Sequence, residues 1–120
     1  MTQGKTIIIL EDEEVLGSIY KKKLEEASFL VYWKKTVEDV EVLMKNLNFD
    51  IILIDHGIKG HKKSGIDLIP LVRAISKNAK IIMLSNYSEP ELREKCLKNG
   101  ADDFLLKINM PPKKLVEYLS

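Results

Sequence analysis

The chain has 120 residues, of which 45% are apolar and 31% are charged, as is ordinary for one globular domain with a single core. Its 19 Lys and Arg nearly balance its 18 Asp and Glu, so the net charge of +1 provides no overall attraction to nucleic acid or to an anionic membrane. No apolar run approaches the roughly 20 residues of a membrane-spanning helix, and the polar start lacks a signal peptide's hydrophobic stretch. We therefore expect one cytoplasmic domain over residues 1–120, without nucleic-acid or membrane partners.

Short apolar runs alternate with longer segments whose apolar residues recur every three or four positions. The runs are Thr6–Leu10, Phe29–Trp33, Ile51–Ile54, Ile81–Leu84 and Phe104–Leu106. They are continuously apolar, which is typical of parallel strands covered on both faces. The pattern predicts a repeated βα unit and a doubly wound α/β fold, with a five-stranded parallel sheet between two layers of helices.

Stripes and capping signals predict the first three helices. The second begins after Thr36, because Thr36 with Asp39 resembles a capping box. Pro70 inside Ile66–Lys77 either bends the third helix or delays its start. The apolar stripe of the first helix is Val15, Leu16, Ile19, Tyr20 and Leu24.

Start and stop signals also delimit the last two helices. Ser88 with Glu91 predicts the start of the fourth helix, and Asn99-Gly100 predicts its end. The fifth is predicted over Lys113–Leu119, after two prolines. Tyr32-Trp33, at the end of the second strand, is expected to pack beneath a helix.

Polar side chains stand at the ends of four predicted strands. Glu11 and Asp12 follow the first strand, Asp55 ends the third, Ser85 follows the fourth and Lys107 follows the fifth. Each is weak evidence alone, since acidic residues are common helix N-caps. Ligands of parallel sheets bind outside the carboxyl ends of the strands, here at the switch point between strands one and three. The joint placement therefore predicts one functional site.

The residue types in this predicted site indicate phosphoryl chemistry. Three crowded carboxylates repel one another unless protons or a cation compensate, and oxygen ligands favour Mg²⁺ or Mn²⁺. A carboxylate beside such an ion can attack a phosphoryl group, and Asp55 is the candidate nucleophile. Lys107 and the Ser85 hydroxyl would stabilise the charge that develops on the phosphoryl oxygens.

These residues resemble those of the receiver domain of two-component response regulators, over essentially all 120 positions. The acidic pair, the aspartate, the hydroxyl and the lysine each stand at the strand end where that family has them. The stretch from Gly100 to Lys107 is similar to the family's Gly-Ala-Asp-Asp-Tyr-x-x-Lys pattern. The resemblance implies a flavodoxin-like (βα)5 fold with strand order 2-1-3-4-5.

The resemblance also implies how the site is used. Asp55 would be phosphorylated by a partner histidine kinase or phosphotransfer protein, and the chain would catalyse only its own phosphorylation and dephosphorylation. Mg²⁺ would bind through Asp12, Asp55 and the backbone carbonyl of Gly57, with Glu11 contributing through water. Mn²⁺ or Ca²⁺ could substitute.

A conformational switch is implied as well. Phosphate on Asp55 would draw in Ser85, and the space left would admit Phe104, which stands at the family's aromatic switch position. The face formed by helix four, strand five and helix five would then change its affinity for an output partner. Homodimerisation is a further possibility, and neither the kinase nor the output pathway follows from the sequence.

Several positions depart from the family pattern. Glu11 replaces a commoner aspartate, and Ile108 follows the strand-five lysine where a proline in a cis bond is usual. Lys59 stands where a proline is usual, in a basic loop, Lys59–Gly65, about two residues longer than the common pattern. Asn86 replaces a smaller residue after Ser85. These departures are expected to affect rates and switching without removing a chemical group.

Hydrolysis of the phosphorylated form depends in this family on residues that control the approach of water. Gly57 has no side chain to orient a water molecule, and Tyr87 with Asn86 can shield the phosphorus. The sequence therefore predicts a long-lived phosphorylated state.

Three other functions share features with this sequence. A flavodoxin-type electron carrier needs a phosphate-binding loop after strand one, and the acidic run from Glu11 to Glu14 would repel that phosphate. A haloacid-dehalogenase phosphatase needs Asp-x-Asp-x-Thr there, which is lacking. A pseudo-receiver, acting as an interaction module without phosphorylation, is favoured by Lys59, Ile108 and Asn86, but the complete set of chemical groups opposes it.

His56 and His61 are interpreted as bystanders, because no Cys/His spacing supports zinc.

Overall fold

The computed structural model describes residues 4–57 and 64–120. Its strands are β1 (Thr6–Leu10), β2 (Leu30–Lys34), β3 (Ile51–Asp55), β4 (Lys80–Ser85) and β5 (Asp103–Leu106). Its helices are α1 (Glu14–Glu26), α2 (Val37–Asn46), α3 (Leu68–Ile75), α4 (Pro90–Lys98) and α5 (Pro112–Leu119). The strands form one parallel sheet in the order β2-β1-β3-β4-β5. The predicted architecture and strand order are confirmed.

Helices cover both faces of the sheet, which explains why the strands are continuously apolar. Side chains of β1 point alternately to opposite faces: Ile8 and Leu10 lie in the core beneath α2, α3 and α4, while Ile7 and Ile9 lie in the core beneath α1 and α5. Cys96 of α4 is fully buried in the first of these cores, and burial raises the pKa of its thiol, in agreement with a structural role. None of the helices in the described residues is long and apolar enough to cross a membrane.

The structure shows how α2 and α3 begin. The Thr36 hydroxyl oxygen accepts a 3.1 Å hydrogen bond from the Asp39 backbone N–H, so the predicted cap of α2 is confirmed. Pro70 delays the third helix and does not bend it. A 3-10 turn over Gly65–Asp67 comes first, and Pro70 then lies in the first turn of α3, where a helical N–H has no partner to lose.

For α4, the predicted cap at its start is wrong and the predicted end is correct. The expected Ser88 cap is wrong: α4 is preceded by Glu89, no side chain caps it, and Pro90 is its first residue. Proline is suited to that position because its fixed φ matches the helix. The predicted stop is confirmed, since α4 ends at Lys98 and Gly100 adopts a φ of +116° that favours glycine.

The second strand lies at the edge of the sheet, which changes the expected burial of its last residues. β2 begins at Leu30, one residue later than predicted. Tyr32 is 40% exposed, so its predicted place beneath a helix is wrong, because an edge strand of five residues is only partly covered. Trp33 is half-buried and packs against Gly17 of α1, as expected.

Candidate functional site

The register of the sheet brings the predicted strand-end residues together at its carboxyl edge. Leu10 of β1 pairs with Ile54 of β3, so Glu11 and Asp55 leave neighbouring strands at the same level. Asp55 in turn pairs with the β4 residue before Ser85. Glu11, Asp55 and Ser85 are buried, whereas Asp12 is exposed. The site is therefore a buried polar floor with one carboxylate open to solvent.

Lys107 joins two of the buried carboxylates. Its Nζ donates to Glu11 Oε1 at 2.9 Å and to Asp55 Oδ2 at 2.8 Å, and its side chain is only 11% exposed. Burial acts to lower the pKa of Lys107, but the hydrogen bonds to Asp55 and Glu11 outweigh burial and raise the pKa. Burial raises the pKa of Glu11, against the opposing hydrogen bond from Lys107. The ammonium thus remains protonated where it offsets two acids.

The acidic residues fit a hard divalent cation. Oxygen atoms of Glu11, Asp12 and Asp55 lie within 4.8 Å of one another. Both Glu11 oxygens are already engaged, Oε1 by Lys107 and Oε2 by the Glu13 backbone N–H at 3.2 Å. A donor set made only of oxygen suits Mg²⁺, which retains several waters when bound. Direct ligation by Asp12 and Asp55, with Glu11 acting through water, agrees with this geometry.

Two glycines lie close to Asp55 at the end of β3. The Gly57 N–H donates to Asp55 Oδ1 at 2.9 Å, so its backbone orients the carboxylate, while ligation by its carbonyl stays a prediction. A Cβ at Gly65 would lie 2.6 Å from the Asp55 carbonyl oxygen. Only glycine therefore lets the turn before α3 pass this close to Asp55. Lys59 and His61 lie outside the described residues.

The residues expected to respond to phosphate occupy defined positions here. The Ser85 hydroxyl donates to the Tyr87 carbonyl and accepts from the Tyr87 N–H, both at 3.1 Å. Asn86 and Tyr87 have exposed side chains, Tyr87 by 66%. Phe104 is 8% exposed and already packs in the core beneath α4. In this conformation the aromatic side chain is inside, and the hydroxyl is turned toward backbone.

Two further positions from the sequence lie around the site. His56 is half-buried, and its Nδ1 is buried without a hydrogen-bond partner among the described residues. Its backbone N–H donates to the Leu84 carbonyl at 2.8 Å, which continues the ladder between β3 and β4. Ile108 is 84% exposed and lies within a 3-10 turn over Lys107–Asn109. Among the described residues, the side chain of Asp55 makes its hydrogen bonds and ion pair with Gly57 and Lys107, and with neither of these two side chains.

Sequence reasoning missed a contact between the second strand and the acidic loop. The Trp33 indole N–H donates to the Glu11 backbone carbonyl at 2.8 Å. A Cβ at Gly17 would lie 2.2 Å from the Trp33 ring, so the indole occupies the space of a missing side chain. A signal was present, because glycine inside a helical pattern is unfavourable and often marks close packing.

The comparison with protein families agrees with this fold. The family model of the response regulator receiver domain matches residues 7–120. The chain belongs to this family, the receiver domains of two-component signalling systems. Among individual relatives, the chemotaxis protein CheY of Thermotoga maritima is 32% identical over 119 residues, an alignment that covers 98% of this chain and 96% of CheY.

Other relatives are longer than this chain. The cell cycle transcriptional regulator CtrA of Caulobacter vibrioides is 30% identical over 101 residues, which cover 84% of this chain but 43% of CtrA. The chain thus spans less than half the length of CtrA. Among solved structures, a CheY-like receiver domain protein from Methanospirillum hungatei superposes with a TM-score of 0.88 at 24% identity, covering 98% of this chain and 91% of that one. This structural likeness concerns the fold.

Proposed function

We propose that this receiver domain accepts a phosphoryl group on Asp55 from the phosphohistidine of a histidine kinase or phosphotransfer protein, in a reaction that requires Mg²⁺. The observation that carries the proposal is the 2.8 Å contact between Lys107 Nζ and Asp55 Oδ2, beside the oxygens of Glu11 and Asp12. A nucleophilic carboxylate, a neighbouring ammonium and an oxygen-rich metal site are the groups that phosphoryl transfer needs in one place.

In the proposed reaction, a P–O bond to an Asp55 oxygen forms while the P–N bond to the donor imidazole breaks. The electron pair of that bond and a proton from solvent go to the imidazole nitrogen. Lys107 keeps positive charge beside the incoming phosphoryl oxygens. Bound Mg²⁺ would supply further positive charge through Asp12 and Asp55. The Ser85 hydroxyl would leave the Tyr87 carbonyl and donate to a phosphoryl oxygen.

The consequence of this modification is a shift of conformation rather than turnover of another substrate. We assign the output surface to the face of α4, β5 and α5 from the resemblance to the family, and a cavity of about 360 Å³ between the start of α4 and β5 lies on part of this face. Phe104 lines this cavity as well as the core. Small shifts of Phe104 would therefore alter the surface offered to a partner.

Acetyl phosphate with Mg²⁺ tests the proposal without the unknown kinase. Intact mass should show one added phosphate in the parent, none in Asp55→Asn, and full labelling in Asp39→Asn, a matched change of an exposed aspartate in α2. Hydroxylamine should remove the label, because acyl phosphates react with it and phosphoserine does not.

Two results would overturn the proposal. Labelling of Asp55→Asn at the parent level would mean that another residue is phosphorylated. A folded parent that binds Mg²⁺ but takes no phosphate from acetyl phosphate or from a phosphohistidine donor would instead support the pseudo-receiver function.

A further inference from the structure

The backbone N–H and carbonyl of Glu11 are both held by the last two residues of β2. Its N–H donates to the Lys34 carbonyl at 3.1 Å, and its carbonyl accepts the Trp33 indole N–H at 2.8 Å. That carbonyl belongs to the peptide unit that links Glu11 to Asp12. The indole therefore sets the orientation of the peptide from which Asp12 projects.

The position of the indole is itself tightly determined. Its ring lies against Gly17, where a Cβ would approach Trp33 Cε2 to 2.2 Å. Lys35 is a second neighbour of the indole. Its Nζ lies 5.6 Å from the centroid of the Trp33 ring and forms an ion pair with Glu14 Oε2 at 3.1 Å. Gly17 of α1 and Lys35, just after β2, thus lie against the indole and restrict its rotation away from Glu11.

Asp12 depends on this backbone support more than Glu11 does. The Glu11 carboxylate has Lys107 and the Glu13 N–H as partners. Asp12 is exposed, and no hydrogen bond or ion pair holds its carboxylate within the described residues. Its direction toward Asp55 is consequently set by the main chain at Glu11 and Asp12.

We propose that Trp33 is a positioning residue for the metal site, acting through its indole N–H on the Glu11–Asp12 peptide. The proposal rests on the proposed function, in which Asp12 is a direct Mg²⁺ ligand. Groups that orient metal ligands without touching the metal typically change metal affinity by about 10- to 100-fold when they are lost. Gly17 serves the same purpose indirectly, since it provides the space that the indole fills.

The sharpest test replaces the indole N–H without changing its shape. Benzothienylalanine at position 33 substitutes sulfur for the N–H, and 5-fluorotryptophan at the same position keeps the N–H as a matched control. We expect calorimetry to show Mg²⁺ affinity reduced about tenfold in the first protein and unchanged in the second. Both should have thermal midpoints close to that of the parent, because the packing on Gly17 is retained.

Two genetic variants give an independent check. Trp33→Phe removes the N–H and should weaken Mg²⁺ binding, while Tyr32→Phe on the same strand should not. Gly17→Ala should also weaken binding by displacing the indole, and adding it to Trp33→Phe should reduce affinity by much less than in the parent. Saturating Mg²⁺ should restore phosphorylation by acetyl phosphate in Trp33→Phe, since the nucleophile is untouched.

The outcomes separate this inference from the proposed function. Unchanged Mg²⁺ affinity in the folded benzothienylalanine protein, with a parent that binds Mg²⁺ and is phosphorylated, would overturn the role of Trp33 alone. Equal weakening in the fluorotryptophan protein would also overturn it, because the N–H would not be responsible. A parent that binds Mg²⁺ but is not phosphorylated would overturn the proposed function and leave the Trp33 result standing.

Discussion

Lys107 Nζ lies 2.8 Å from Asp55 Oδ2, so the ammonium already contacts the carboxylate that we propose as phosphoryl acceptor. The same ammonium lies 2.9 Å from Glu11 Oε1. One partly buried cation therefore holds two buried acids that would otherwise repel each other. This arrangement links the stability of the fold to the chemistry of the site.

Lys107→Ala should destabilise the protein, because it leaves Glu11 and Asp55 buried and facing each other without a cation. We expect the free energy of unfolding at neutral pH to fall by about 3 kcal/mol, as measured by urea denaturation. Mg²⁺ should recover part of that loss. Lys22→Ala, on the exposed side of α1, is the control and should be nearly neutral. A loss as small as that of the control would show that Lys107 does not support the two acids.

Asp12→Ala should separate metal binding from stability. The side chain is exposed, so its removal should change the free energy of unfolding by no more than about 0.5 kcal/mol. Mg²⁺ affinity measured by calorimetry should nevertheless fall by at least about tenfold. Loss of a residue that only orients a metal ligand already lowers affinity by that factor, and loss of the ligand itself should lower it at least as much. Glu13→Gln, one residue further along, should bind normally. Unaltered affinity in Asp12→Ala would remove this residue from the metal site.

The contribution of Tyr118 to the free energy of unfolding should depend measurably on pH at alkaline values. Burial and the hydrogen bond that its hydroxyl donates to Asp103 raise the pKa of Tyr118 from 10.0 to about 12. Because the folded-state pKa is the higher one, the stabilisation is complete below pH 10 and is lost as the pH rises toward 12. The stability difference between the parent and Tyr118→Phe should shrink across that window.

Urea titrations at a series of pH values provide the measurement for Tyr118. Tyr32→Phe, at an exposed position on β2, is the matched control for loss of a tyrosine hydroxyl. A Tyr118→Phe difference that stays constant through the alkaline window would mean that the Asp103 contact contributes nothing to folding.

The phosphorylated form should be long-lived, and Tyr87 should contribute to its lifetime. Tyr87 lies two residues after Ser85, and its backbone is hydrogen-bonded to the Ser85 hydroxyl. These hydrogen bonds keep Tyr87 near the site. We expect phospho-Asp55 to decay faster in Tyr87→Ala, because water reaches the phosphorus more easily, and to decay at nearly the parent rate in Gly57→Ala. Decay is followed by intact mass after removal of acetyl phosphate. No acceleration in Tyr87→Ala would contradict shielding by this side chain.

The fold could be predicted from the sequence because its signals are local and repeated. Continuous apolar runs such as Ile51–Ile54 mark strands buried on both faces, and the helical stripes between them allow few arrangements. The ends of the elements were less certain. Serine is a common helix N-cap, but Ser88 makes no capping hydrogen bond, because α4 starts two residues later at Pro90. Pro70 was ambiguous because its effect depends on where the preceding turn ends.

The chemical groups of the site were also predictable, but their supports were not. Glu11, Asp55 and Lys107 follow strands, and a parallel sheet brings such residues to one edge. The indole of Trp33 reaches the Glu11 carbonyl across 22 positions of chain, a contact that no local pattern indicates. The inward position of Phe104 likewise depends on packing beneath α4, which the residue type alone does not determine.

Trp33 is the single tryptophan of the chain, and this gives its hydrogen bond to Glu11 a practical consequence. Indole fluorescence is sensitive to the polarity and charge around the ring, and here the ring adjoins the acidic loop while Phe104 lies on the opposite side of β1 and β3. The intrinsic emission of the unlabelled protein should therefore report events at the carboxylates, largely free of signal from Phe104 and the core beneath α4. Metal binding could then be timed in the unlabelled protein without interference from movement of Phe104.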